Sequence, residues 1–397
     1  MKRKTERDFT PLLLIGCMCA LWAFAHILIG GSYLGPTHYN TYTRQALAWR
    51  QGLLHLPQDV PFLELAVYEG NYYVSFPPLP SVILWPLTFL FGMDTPDNLL
   101  VKLYALGAVC ILYEALKRAG YEKKNAAAFS FLLCFSSSLL PMTLNGAVWY
   151  HAQTLAFFLT VSSICLFTMN RPTLSLFCYA LSVACRPFNA LYAIPLFFTW
   201  WIIHKRARVS LKNTVYPLLP GVALGLIVAA ALGIYNYVRF QNIFEFGHNY
   251  LPEFSTQGGI QFSIQHVEKH LKTFLWGLPL QKTETGYQFA KFGYSMLLAC
   301  PALLLMIIWA VMDVVRRQMR PEKAAVLATC LLHGFFLLFH RTFGGFQLGA
   351  RYAVDLIPYA FFYLLLTPEK KKAHWLEILF LGFMAVFTLF GIYQVHI

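Results

Sequence analysis

The sequence predicts an all-α polytopic membrane protein, a bundle of about 11–12 transmembrane helices with two long extracytoplasmic loops, and three observations carry that reading. First, 58% of the 397 residues are hydrophobic, 17% are aromatic and only 12% are charged, about half the charged share of a soluble domain. So few polar side chains leave too little material to cover a water-facing surface. Second, runs near the ~20 apolar residues that an α-helix needs to cross about 30 Å of hydrocarbon recur along the chain. Third, the period-2 alternation of a membrane barrel is missing, so the backbone has to satisfy its hydrogen bonds inside helices.

The net charge of +13 is gathered into short clusters between apolar runs and reads as an orientation signal rather than a nucleic-acid surface. The clusters are Lys2/Arg3/Lys4/Arg7, Lys117/Arg118/Lys123/Lys124, Lys205/Arg206/Arg208/Lys212, Arg316/Arg317/Arg320/Lys323 and Lys370/Lys371/Lys372. Placing all five in the cytoplasm gives an inside amino terminus. The expected spans are then 11–30, 98–116, 125–141, 152–169, 173–185, 188–203, 216–238, 293–312, 324–339, 350–366 and 375–395. The short run 79–92, with Pro80 and Pro86, reads as a partial or re-entrant helix, because a full crossing there would put the following basic clusters outside. The first apolar run is too long for a signal-peptide core and reads as the first transmembrane helix.

One membrane domain, 1–397, is the simplest partition. Its first extracytoplasmic loop, 32–78, and its second, 239–292, are too long to be connectors. Within the first, Ala46, Leu47, Trp49, Leu53 and Leu54 fall at helical spacing and predict an amphipathic helix over 42–56 lying on the outer surface. The nine cysteines all fall inside or at the ends of apolar runs, with neither a disulfide framework nor zinc spacing.

Four segments carry candidate chemistry. Residues 63–80 place Glu64 and Glu69 before the Tyr72–Tyr73 pair, which can stack on a sugar ring or simply form an interfacial aromatic belt. Residues 145–153 put His151 at the outer mouth of a helix. Cys185-Arg186-Pro187 sets an arginine between two short apolar helices, where it either binds phosphate bidentately or snorkels to headgroups. Residues 340–358 crowd His340, Arg341 and Arg351 at one outer turn. Asp355 lies four residues after Arg351, a spacing at which the two can pair on a helix. The second outer loop adds His248 among its polar residues. Cations converging near carboxylates at one membrane face suit a phosphate-linked sugar lipid: the cations hold the phosphate as leaving group and a carboxylate takes a hydroxyl proton.

This order of features resembles the GT-C superfamily of membrane glycosyltransferases, above all the protein O-mannosyltransferase and lipid A aminoarabinose transferase group. The resemblance is carried by Tyr72-Tyr73-Val74-Ser75-Phe76-Pro77-Pro78-Leu79-Pro80, by the turn 146–151, by Arg186-Pro187, and by Gly349-Ala350-Arg351-Tyr352 with Pro358. It implies a GT-C-like bundle and an inverting transfer from a polyprenyl-phosphate sugar to an acceptor glycan, lipid or protein at the outer face. The apolar runs imply contact with membrane lipids, the clustered charge none with nucleic acid, and the basic amino terminus without an organelle address a bacterial plasma membrane. Arg186, Arg351, Tyr352, Arg341, His151, His248, Tyr72 and Tyr73 then bind substrate. The family's early aspartate is replaced here: His38 stands near its position, so the base is Glu64, His38 or Glu69, with Asp59 a weaker choice. Glu64 is favoured, since Glu69 beside Gly70 reads as a turn tip. No cofactor is required; a divalent metal is possible in the superfamily, but no spacing demands one. A non-catalytic partner of this fold, or a transporter or flippase of a lipid-linked saccharide, stays open as an alternative.

Overall fold

The computed structural model describes residues 8–255, 261–284, 286–342, 344–367 and 374–396. The basic clusters Lys2/Arg3/Lys4/Arg7 and Lys370/Lys371/Lys372 lie outside the described residues. Helices occupy every expected span: Thr10–Ile29, Asp97–Arg118, Lys123–Phe135, Val148–Thr168, Pro172–Val183, Ala193–Arg206, Leu219–Phe240, Pro301–Val315, Pro321–Leu337, Ile357–Leu365 and Trp375–His396. Among the described residues 5 helical stretches are long and apolar enough to cross a membrane by themselves. The others are shorter because proline, glycine or a 3₁₀ turn interrupts them, as at Pro187–Tyr192 and Arg351–Leu356. The run near 79–92 is a helix, Leu79–Phe91, with Pro86 inside it.

Burial sorts these helices into two kinds. Ile357–Leu365 is buried at every residue and forms the centre of the bundle, packed between helices 148–168, 301–315 and 321–337. By contrast, the apolar stretch Leu211–Phe240 has only 6% of its most hydrophobic window buried. A surface that apolar and that uncovered is stable only against lipid. The fold is that of a multi-pass membrane protein.

The described basic clusters share one end of the bundle. Lys117 pairs with Asp8 at 3.2 Å, the Tyr121 hydroxyl reaches the Leu364 carbonyl at 3.4 Å, and Arg206 pairs with Glu322 at 3.0 Å. The Trp309 indole donates to Glu377 at 2.7 Å, bringing the start of the last helix to the same end. The long polar segments therefore gather at the opposite end.

Three details differ from the sequence reading. The helix expected over 42–56 runs Thr41–Arg50 and does not lie on the surface. Tyr42, Thr43, Gln45, Ala46 and Ala48 are buried around its circumference, because Gln45 bonds both to Ser81 (2.6 Å) and to the Tyr235 hydroxyl (2.9 Å). Second, the first outer loop, expected to carry surface helices, also holds strands. Leu65–Tyr68 and Asn71–Val74 pair as an antiparallel hairpin, closed by Glu69 (φ 49°) and Gly70 (φ 76°), the two left-handed positions of a tight turn whose twist matches the strands. A second hairpin pairs Leu280–Thr283 with Gly286–Phe289. Third, Arg351 and Asp355 do not pair. In the 3₁₀ turn Arg351–Leu356, with about three residues per turn, positions four apart point in different directions.

Candidate functional site

At the end opposite the basic clusters, a cavity of about 770 Å³ opens among the first outer segment, the start of helix 148–168 and the loop around 340–352. A second, of about 350 Å³, adjoins it beside the Arg186 turn. Phe76, Trp149, His248, His340, Arg351 and Tyr352 line both, so the two meet at a wall of rings with one guanidinium among them.

The local sequence explains how each side chain arrives there. Arg186 precedes a proline, which pushes it into extended backbone (φ −140°, ψ 100°) and breaks the helix. Its guanidinium then reaches across the bundle and donates to Asp355 Oδ2 from Nη2 (2.6 Å) and Nε (3.0 Å). Asp355 is nearly fully buried, and its other oxygen accepts from Gln153 at 2.9 Å. Arg351 follows Gly349, whose φ of 83° suits glycine; the Arg351 amide donates to Gln347 Oε1 at 2.6 Å and its Nη2 to the Gly344 carbonyl at 3.0 Å. Arg351 is only 7% exposed, its Nε has no hydrogen-bond partner, and no carboxylate pairs with it among the described residues. Both guanidinium groups lie over the Tyr352 ring, at 5.3 Å for Arg186 and 5.0 Å for Arg351. Two cations held this close, one of them without an acid, make a strong field for an anion.

Glu64 lines the large cavity, and its Oε2 accepts from the Trp149 indole at 2.9 Å. Trp149 is placed by the turn before its helix. Asn145 accepts from the Ala147 amide at 2.9 Å, and the Gly146 amide donates to Asn98 at 2.6 Å. A Cβ on Gly146 would lie 2.6 Å from the Asp97 backbone, so only glycine fits this approach. His38 lines the same cavity with its ring stacked on Phe62 at 4.1 Å. His248 donates to the Ser75 carbonyl at 2.5 Å; burial holds its imidazole below the usual range. Burial likewise pushes His340 down to about 4, and the neighbouring cations add to this. Partial burial, helped by the Glu64 carboxylate, raises the carboxyl of Glu253, which lines the cavity as well.

Of the residues singled out from sequence, Glu64, His38, Arg186, Arg351, Tyr352 and His248 come together here. His340 joins them, while Glu69, Tyr72, Tyr73, His151 and Arg341 line neither cavity. Glu69 sits at the hairpin tip. Tyr72 lies in the hairpin, where its carbonyl receives the Leu56 amide at 2.7 Å, and Tyr73 is buried against Phe240, so the pair does not offer a face to a sugar. His151, in the first turn of helix 148–168 as expected, is fully buried, in contact with the Tyr104 hydroxyl at 3.3 Å. Arg341 bonds the Glu253 carbonyl at 2.9 Å and covers Phe254. Sequence reasoning gave Trp149 no role, and it named Glu253 and His340 without assigning them one. The only local signal for Trp149 was its place in the first helical turn after Asn145-Gly146.

Among the described residues no group of three or more His, Cys, Asp or Glu is placed to hold a metal ion.

No protein-family model matches the sequence, and no curated protein does. Solved structures do. The oligosaccharyltransferase of Archaeoglobus fulgidus in its apo form aligns with a TM-score of 0.52 at 13% identity, over 98% of this chain and 56% of that one. ArnT from Cupriavidus metallidurans, bound to undecaprenyl phosphate, aligns with a TM-score of 0.54 at 13% identity, over 93% of this chain and 62% of that one. The archaeal oligosaccharyltransferase AglB from Archaeoglobus fulgidus, in complex with an inhibitory peptide and a dolichol-phosphate, aligns with a TM-score of 0.52 at 13% identity, over 98% of this chain and 56% of that one. The chain thus spans less than two thirds of the length of these neighbours. At this identity the likeness is one of fold alone: the chain shares the helical membrane bundle of these neighbours.

Proposed function

We propose that the chain is an inverting glycosyltransferase that moves a sugar from a polyprenyl-phosphate donor to an acceptor hydroxyl on a glycan, lipid or protein. The observation that carries this reading is the convergence of Arg186 and Arg351 on the Tyr352 ring, beside a cavity that Glu64 also lines. In this reading the donor phosphate docks between the two guanidinium groups and the acceptor enters through the larger cavity. The acceptor oxygen attacks the anomeric carbon from the face opposite the phosphate. The new C–O bond forms as the bond from that carbon to the phosphate oxygen breaks; its electron pair leaves on the phosphate, and the hydroxyl proton passes to Glu64. Arg351 supplies most of the charge stabilisation, because Asp355 already offsets the charge of Arg186.

His38 and Glu69 are the other bases that the sequence offers. His38 serves here as cavity wall, its ring held flat against Phe62, and Glu69 is too far along the hairpin to take part. In this reading the end bearing the basic clusters faces the cytoplasm, which the distribution of Lys and Arg supports. Segments 32–78 and 239–292 are then extracytoplasmic parts of one membrane domain, in a bacterial plasma membrane.

The test is transfer of radiolabelled sugar from a polyprenyl-phosphate sugar by the purified chain in liposomes. Labelled product from the wild type and none from Arg351→Ala supports the reading. Binding of polyprenyl phosphate with no transfer to glycan, lipid or peptide acceptors, and no hydrolysis, would replace it with a non-catalytic partner or a flippase.

A further inference from the structure

Of the six residues that line both cavities, Trp149 is the one bonded to Glu64. It sits at the first turn of helix 148–168. Its indole N–H is committed to Glu64 Oε2 at 2.9 Å, which leaves the other carboxylate oxygen for a substrate. Tyr39 tilts against the indole at 5.4 Å, and the Tyr39 carbonyl receives the Val148 amide at 3.2 Å, so ring and backbone are fixed together. In the proposed reaction the sugar has to sit where donor and acceptor spaces meet, between the phosphate-binding guanidinium groups and the base. An indole face is the surface there that matches the C–H-rich face of a pyranose. Tyr72 and Tyr73, the rings that the sequence offers for this contact, lie elsewhere.

We propose that Trp149 is a positioning residue that acts in two ways. Its N–H aims Glu64, and its ring is the platform on which the transferred sugar lies at the junction of the two cavities. This rests on the glycosyl-transfer reading above. The two roles separate chemically. Phenylalanine keeps an aromatic face and loses the N–H; alanine loses both.

The experiment combines binding and kinetics on the full chain in detergent or nanodiscs. The Kd for a polyprenyl-phosphate sugar and for sugar-free polyprenyl phosphate is measured by isothermal titration, and transfer is followed against pH. In the wild type the sugar should tighten binding several-fold. Trp149→Phe should keep most of that increment and leave KM within about twofold. It should lower kcat about tenfold across the pH range, since the carboxylate is no longer aimed. Trp149→Ala should remove the sugar increment as well, while its affinity for sugar-free polyprenyl phosphate stays at the wild-type value. Equal wild-type affinity for the two lipids, or a Trp149→Phe profile that superimposes on the wild type, overturns the inference and leaves glycosyl transfer standing. A wild type that neither binds nor uses the donor overturns both.

Discussion

The two ends of the bundle use the same ionic side chains to opposite effect. At the basic end, Lys323 is fully buried and donates to Asp313 at 2.8 Å, the Tyr363 hydroxyl donates to the same carboxylate oxygen, and Arg206 grips Glu322 through bonds of 3.0 and 3.2 Å. Each charge there meets its opposite at close range. At the other end Arg186 has Asp355, but the guanidinium of Arg351, a residue only 7% exposed, meets the Gly344 carbonyl and aromatic faces beside a cavity. A buried pair closes a structure, whereas a buried cation facing an open space is held ready for something that arrives from outside.

That contrast breaks if the wrong substitutions hurt the wrong property. The largest effect is expected from Glu64→Gln, which should cut kcat about a thousandfold by removing the proton acceptor, with thermal unfolding in detergent unchanged. Lys323→Ala should do the reverse: leaving Asp313 buried without its cation should cost about 3 kcal/mol of stability, read as an earlier unfolding transition. Transfer by the fraction that stays folded should match the wild type. Arg351→Ala should weaken polyprenyl-phosphate binding roughly thirtyfold, about 2 kcal/mol, and barely move the unfolding transition. The smallest effect concerns acid. In the folded chain His340 takes up its proton only near pH 4, because it is buried, against about 6.5 when unfolded. Between those values the unfolded chain binds the extra proton, so stability should fall as pH drops from 6.5 towards 4. A His340→Gln chain followed by unfolding across that range should show a flatter slope.

The positions of the helices were legible because crossing lipid forces long apolar runs, and the runs were there to count. The ends were harder. Helix 172–183 stops short because of a Cys-Arg-Pro break, visible in the sequence, while 351–356 tightens into a 3₁₀ turn, which no periodicity announces. That turn misdirected the expected Arg351–Asp355 pair. The true partner of Asp355, Arg186, lies 169 residues away, and nothing local encodes a contact of that span. Glu64 and the two arginines were found from residue type and place alone. Trp149 was passed over because a tryptophan near a membrane face looks like any other interfacial ring, and only its bond to Glu64 sets it apart.

The brevity of helix 172–183 has a mechanical consequence. Its 12 residues rise about 18 Å, well short of the ~30 Å slab it serves. A helix that short meets a slab of that thickness only where the rest of the chain covers its end or where the bilayer thins beside it.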